Sequence, residues 1–382
     1  MVNEADSQTG KAWARVWLRH LAAILAAPFN GLEWALTWLL TTPVKPLWRW
    51  LDSLAPRFEH TLARKVISVS LFPVMIMLAV FVGFELVERG LTGNALAFLF
   101  IYFIVLGLFL APLERLMPWS RNWLQARDSG TDLLTILTVM AGAVLMGPVS
   151  VFLTAWLVDW IHVRLPPDTI RSFWPSTLHP VLQVFLLLFA MDFFRYWYHR
   201  WMHTVPLMWR WHSVHHSSAR MYWFNGVRSH PVEGVVQSLI WVVPYTLIQA
   251  PAEIVFVSGM VSRVIGRFQH TNVDAKLGPL EYVFSAPGNH RYHHSKIAAV
   301  GNRNYGGDFI LWDLLFGTFH LPKGQQPSDD IGVGAMPDYP QSWLGLMLAP
   351  FNNRLWQRGP VVPRFGRAEC DALADGTEPE LR

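Results

Sequence analysis

Four apolar runs lie at about Val66 to Val87, Asn94 to Leu113, Leu133 to Trp160 and Val181 to Tyr198. A helix needs roughly 20 apolar residues to cross the hydrocarbon of a bilayer, so runs of this length and number commit the chain to an all-α, multi-pass transmembrane helical bundle. The balance of the 382 residues agrees, with 52% hydrophobic and 15% charged, where a soluble domain is about a quarter charged. The 20 tryptophans fit the same surroundings, because indole favours the headgroup layer, where one edge is apolar and the other wet. A formal charge of +4 raises the question of nucleic acid. The basic residues, however, are scattered along the juxtamembrane segments and form no block or stripe, so no nucleic-acid partner is expected.

Lysine and arginine set the direction of the spans. Arg57, Arg64 and Lys65 precede the first run, and Arg115, Arg121 and Arg127 follow the second; both ends are expected to be cytoplasmic. The third run then leaves the cytoplasm, the segment from Ile161 to Pro180 turns outside, and the fourth returns to end at the cytoplasmic face. Residues 1–65, rich in tryptophan and arginine and broken by Pro28, Pro43 and Pro46, read as an interfacial segment. The rival is an extra span around Leu21 to Leu40. No cleaved signal peptide is expected, since Met1 to Asp6 opens no basic region followed by a short apolar core. Residues 66–132 then hold two spans, residues 133–322 a catalytic domain, and residues 323–382 a polar tail of loop or disorder. The apolar stretch from Val235 to Val264 is broken by Pro244 and Pro251. It is expected to form two short helices that enter and return on the same side.

Histidine supplies the chemistry. His199 and His203 stand one helical turn apart at the end of the fourth run, and the pattern His-x-x-His-His then occurs twice, as His212, His215, His216 and as His290, His293, His294. Residues i and i+4 share a helix face and can clamp one ion, whereas adjacent histidines point about 100° apart and can serve two. Eight grouped imidazoles exceed what a single metal uses, so a shell around two ions is expected. His230 and His270 stand alone, and the residues by themselves leave them open between ligand and support. His20, His60, His162, His179 and His320 have no partners at ligand spacing. The lone cysteine, Cys370, lies in the polar tail; no thiolate site is expected, and nitrogen holds the metal. Among carboxylates and amides placed to orient ligand rings, Asp192, Glu233, Asn272, Asp308 and Asp313, Asp192 stands out for lying inside an apolar run. No glutamate follows His199, whose neighbour is Arg200, which argues against a zinc peptidase.

These residues also resemble a known family. Three histidine boxes of the forms His-x3-His, His-x2-His-His and His-x2-His-His, in this order, mark the membrane-bound fatty acid hydroxylase/sterol desaturase superfamily. The likeness continues through Asp192 to Arg200, Arg228-Ser229-His230-Pro231, His270-Thr271-Asn272-Val273, Leu277 to Tyr282, Asn304 to Gly307 and Leu311 to Phe319. His215 to Ser218 and the stretch from His270 to Phe319 look most like alkylglycerol monooxygenases and their bacterial relatives. The resemblance implies an integral membrane di-iron oxygenase, multi-pass, with a histidine-rich cap at the cytoplasmic face, that hydroxylates a lipid with O2. It carries the metal ligands over to all ten of His199, His203, His212, His215, His216, His230, His270, His290, His293 and His294. The chain shows no dinucleotide fingerprint and no haem module, so electrons must come from a separate reductase, ferredoxin or cytochrome. Desaturation on the same site is the alternative reaction. A non-redox zinc protein or hydrolase is the alternative class, since the same imidazoles accept zinc.

Overall fold

The computed structural model describes residues 26–125, 127–164, 174–334, 336 and 338–356. Expectations for residues 1–25, for most of the outside turn and for residues 357–382, Cys370 included, fall outside these. Residues 26–41 are helical (α1), followed by α2 (Lys45–Phe58), α3 (Leu62–Glu88), α4 (Ala95–Leu116), α5 (Ser129–Arg164), α6 (Pro180–Thr204) and α7 (Pro206–His216). Then come α8 (Pro231–Ile248), α9 (Ala252–Gln269), α10 (Pro287–His293) and two short helices, α11 (Leu311–Phe316) and α12 (Trp343–Leu348). Among the described residues the β structure is confined to three isolated bridges.

Local signals account for the helix boundaries. The Thr61 hydroxyl accepts the Arg64 N–H at the start of α3, and Gly90, with φ of 66°, ends it beyond Arg89. Prolines open α6, α7, α8 and α10, where a missing N–H costs nothing. His179 Nδ1 accepts the Val181 N–H and caps α6, which gives this isolated histidine a structural task. Three helices, Leu62–Glu88, Ser129–Trp160 and Pro180–Thr204, are long and apolar enough to cross a membrane. The expected second span forms the 22-residue α4. The outward side chains of α5 are apolar, with Leu145, Val151, Phe152 and Val163 all 67–75% exposed, a surface that suits acyl chains and not water.

The core lies where α9 packs between α3 and α6. Val184, Leu187, Val257, Val261 and Ile265 are wholly buried there, and the Phe72 and Phe268 rings lie 5.1 Å apart. At one end of this core the basic termini gather. Arg64 at the start of α3 pairs with Asp274 at 2.7 Å, and the backbone following α4 bonds to Asn272 and Asp274. The ends expected to be cytoplasmic therefore meet at the end that carries the histidines.

The stretch from Val235 to Val264 does fold as a hairpin, but its helices are not short. Each has 18 residues, about 27 Å at the α-helical rise. The break falls at Gln249, which takes φ of 48° before Pro251, while Pro244 stays inside α8. Both outer ends return to the histidines, α8 through Glu233 and α9 through His270. Cysteines placed at Lys276 and at Asn353, which hydrogen-bonds Arg210 of α7, are accordingly expected to react with a membrane-impermeant thiol reagent from one side. Labelling from opposite sides would exclude the hairpin.

The proposed polar tail also differs from expectation. Val333, Met336, Tyr339, Leu346, Ala349 and Trp356 close a small core over Val214 of α7, and the Tyr339 and Ser213 hydroxyls bond at 2.8 Å. Its apolar residues are spaced at no helical or strand period, so the pattern that betrays a buried face is missing from the sequence.

Candidate metal centre

The last two turns of α6 deliver His199 and His203, α7 delivers His212, His215 and His216, the C-cap of α9 delivers His270, and α10 with its C-cap delivers His290, His293 and His294. They sort into two groups, each with its ligand atoms within 4.8 Å of one another: His199, His203, His212, His216 and His293 in one, His215, His270, His290 and His294 in the other. Adjacent histidines divide between the groups, as a turn of about 100° per residue requires. The groups share a wall, with His216 stacked on His294 at 4.4 Å and His290 on His293 at 5.1 Å.

Hydrogen bonds fix which nitrogen is bare. The Nδ1 atoms of His199, His215, His270 and His293 face the carbonyls of Tyr305, Arg228, Gly266 and Arg303 at 2.8–3.0 Å. His212 Nδ1 faces Glu233 Oε1, and His203 Nδ1 faces Asn302 Oδ1, both at 3.0 Å. A carbonyl or carboxylate oxygen only accepts, so these Nδ1 atoms carry protons and each Nε2 presents a lone pair. The consequence is electrostatic. Nε2 of His199 and His212 face each other at 3.1 Å, and those of His215 and His270 at 3.2 Å, lone pair against lone pair. The Nε2 atoms of His203, His216, His293 and His294 are buried with no partner. Protonation would relieve this, but burial, followed by repulsion from neighbouring imidazoles, pushes His212, His216, His290, His293 and His294 well below the ordinary histidine range. A cation in each group satisfies all of these atoms at once, so the donor set fits metal.

His230 is the exception among the ten candidates. Its Nδ1 accepts the Val232 N–H at 3.1 Å, capping α8, and its Nε2 faces the Met347 carbonyl at 3.2 Å. Both ring nitrogens are used outside the two groups, because the Pro231 helix start draws the ring back onto its own backbone. His320 is likewise apart, packed on Tyr292. Asp192 does not touch a histidine. Its Oδ1 accepts the N–H groups of Gly307 and Asp308 and its Oδ2 that of Phe309, at 2.8–3.0 Å. It therefore holds the loop whose Tyr305 carbonyl orients His199. Asp313 holds the same loop through the N–H groups of Tyr305 and Gly306. Asp308 pairs with Arg195 at 3.0 Å, and Asn272 bonds Ser120. Gly307 sits where a Cβ would collide with the Arg195 side chain.

Some positioning residues escape sequence reasoning. Asn302 lies in a turn without pattern. Asp132, wholly buried at the start of α5, accepts from Arg228 at 3.1 Å and from the Tyr222 hydroxyl at 2.6 Å, which steadies the Arg228 carbonyl beneath His215. A cavity of about 290 Å³ reaches both groups, touching His199, His212, His215, His270 and His290, and its walls also include Val139, Met202, Val227 and Gln237. It lies among α5, α6, α7, α8 and α9.

Comparison with known proteins follows this geometry. Residues 184–318 match the Fatty acid hydroxylase family, a stretch that contains all nine grouped histidines. Ornithine lipid hydroxylase OlsE of Rhizobium tropici is 34% identical over 276 residues, 69% of this chain and 81% of that protein. Alkylglycerol monooxygenase of Homo sapiens is 32% identical over 174 residues, 44% of this chain but 36% of that protein; the chain spans about a third of that relative's length. Lathosterol oxidase of Rattus norvegicus is 27% identical over 192 residues, 50% of this chain and 60% of that protein. No solved structure matches. The chain belongs to the fatty acid hydroxylase family, the membrane-bound, O2-dependent oxidoreductases that act on lipids.

Proposed function

We propose that the nine grouped histidines hold two iron ions and that the protein hydroxylates a lipid with a polar headgroup, of the kind named in its ornithine lipid hydroxylase relative. The observation that carries this reading is the double imidazole shell opening onto a mostly apolar cavity. Bound iron would supply the oxidising power for O2 to break a C–H bond. The balance is one C–H, one O2, two electrons and two protons in, and one alcohol and one water out. The residues of the chain do the rest. Backbone carbonyls hold His199, His215, His270 and His293 by Nδ1–H, Glu233 holds His212 and Asn302 holds His203, and the burial of the shell excludes water. Val139, Met202 and Val227 receive the lipid. The electrons come from a separate donor, a reductase, ferredoxin or cytochrome. The active site faces the cytoplasm, as Arg57, Arg64, Lys65, Arg115, Arg121 and Arg127 gather at its end. The catalytic unit comprises residues 133–322, with Val333, Met336, Tyr339, Leu346, Ala349 and Trp356 packed over α7 as its cover.

Desaturation is a second reading, favoured by the lathosterol oxidase likeness. The test is product mass. Purified protein with iron, a chemical or protein reductant, O2 and an ornithine lipid is expected to yield a lipid heavier by one oxygen, labelled when ¹⁸O2 is supplied. Loss of two hydrogens without label would establish desaturation instead. Turnover that persists without O2 and reductant, or a preparation active with zinc alone, would overturn the di-iron reading.

A further inference from the structure

The helices that precede the first span enclose a second cavity, away from the histidines. Along α1, Asn30, Glu33, Trp34, Thr37, Trp38 and Thr41 line it, and along α2, Lys45, Trp48, Arg49 and Asp52 do. Each set repeats every three or four residues, so one face of each helix forms a wall. The remaining wall is the end of α4 and the start of α5, with Arg115, Arg127 and Thr131. The volume is about 690 Å³, and a smaller space of about 210 Å³ adjoins it across Thr41, Trp48, Arg115 and Leu124. The wall is firmly seated. Gly130 at the start of α5 lies so close to α1 that a Cβ would strike the Glu33 carbonyl, its N–H donates to Thr37 Oγ1 at 2.9 Å, and Glu33 accepts the Trp343 N–H.

The chemistry of this cavity is unbalanced. Four cations line it, Lys45, Arg49, Arg115 and Arg127, against two carboxylates, Glu33 and Asp52. Arg115 meets Asp52 at 3.4 Å, but Lys45, Arg49 and Arg127 have no ion-pair partner among the described residues. The location is equally informative. Arg115 and Arg127 belong to the basic ends of the spans, which a bilayer would place among its headgroups, and Trp34 and Trp38 are 71% and 52% exposed beside the cavity, as rings in a headgroup layer are.

We infer that this cavity binds the phosphodiester headgroup of a membrane phospholipid, separate from the lipid substrate. The phosphate takes the charge of Lys45, Arg49 and Arg127. The volume suits a glycerophosphate headgroup and far exceeds a bare phosphate ion. The role assigned to residues 26–65 is therefore to seat the catalytic domain on a specific lipid at its basic end.

The test uses the full chain in detergent, titrated with short-chain phosphatidylglycerol and read by native mass spectrometry, with diacylglycerol of the same chains and inorganic phosphate as comparison probes. Wild type is expected to prefer phosphatidylglycerol over diacylglycerol by about tenfold or more, and the Lys45→Gln, Arg49→Gln, Arg127→Gln variant to lose most of that preference. These three side chains are exposed, so the variant is expected to keep its thermal unfolding and metal content. Arg89→Gln, at the opposite end of α3 and, among the described residues, paired only with Glu85, is expected to keep the preference. A triple variant that binds phosphatidylglycerol as wild type does would overturn the proposal. So would equal loss in Arg89→Gln, which would mean a general charge effect, or displacement of the lipid by inorganic phosphate at equal concentration, which would mean a simple anion site.

Discussion

A His293→Ala protein is expected to lose the metal held by its group and to have no measurable turnover, while a His230→Ala protein keeps full metal content and most of its activity. The family resemblance carries both over as ligands, although the residues alone leave His230 open, and their geometry differs. His293 donates through Nδ1 to the Arg303 carbonyl and leaves Nε2 buried without a partner, facing the bare nitrogens of His199, His203, His212 and His216. Removing it takes one donor from that group and opens a cavity beside the shared wall. Loss of an outer partner of a ligand costs about 10–100-fold in affinity or activity, so loss of the ligand itself exceeds that. His230 spends both nitrogens on backbone, and its removal costs the cap of α8, on the order of 1 kcal/mol. Glu233→Gln falls between, at roughly 10–100-fold, because the amide still meets His212 Nδ1–H through its oxygen but no longer offers a negative charge. Metal analysis of detergent-purified protein, with Mössbauer spectroscopy on an iron-57 preparation, reads all three. Equal metal loss in His230→Ala and His293→Ala would mean that the two groups do not describe the centre.

Histidine spacing carried most of the site because its logic is local. One turn between His199 and His203, and the adjacent pairs His215–His216 and His293–His294, already say that rings must divide between two centres. The apolar runs likewise predicted α3 to α6 within a few residues, since length against a bilayer is a one-dimensional criterion. What could not be read depends on contacts between distant segments. Nothing near Asp132 announces that it will bury Arg228, and nothing near Asn302 that it will orient His203. The cover formed by Val333, Met336, Tyr339, Leu346, Ala349 and Trp356 reads as a loose tail in sequence because its apolar residues serve an irregular surface. His230 and His270 are the sharpest contrast: both flank the same apolar hairpin, but Pro231 starts a helix directly after His230 and turns its ring inward to cap it, whereas His270 follows the end of α9 and is free to point at its neighbours.

Asp192→Ala is expected to lower stability by about 3–5 kcal/mol, the range found when one partner of a buried charged network is removed. The carboxylate is wholly buried in α6, and three backbone N–H groups, of Gly307, Asp308 and Phe309, converge on it. Among the described residues no other acceptor is offered to them, and each buried donor left unsatisfied costs about 1–3 kcal/mol. Arg195, paired with Asp308 across the same loop, limits but does not replace the loss. Because a membrane or soluble domain has only about 5–15 kcal/mol of net stability, this single change is expected to consume a large part of it. Its chemical effect follows from the loop. Tyr305, whose carbonyl holds His199, stands two residues before Gly307, so a loosened loop frees the His199 ring and weakens the metal of that group before the fold is lost. Asp192→Asn, which keeps an acceptor oxygen for part of the loop, is expected to recover much of the thermal stability but less of the metal affinity. Thermal unfolding and metal titration in the same detergent separate the two effects. If Asp192→Ala unfolds as wild type does and binds metal equally well, the loop is held by Asp313 and Arg195 alone, and the buried carboxylate in the apolar span must have another purpose.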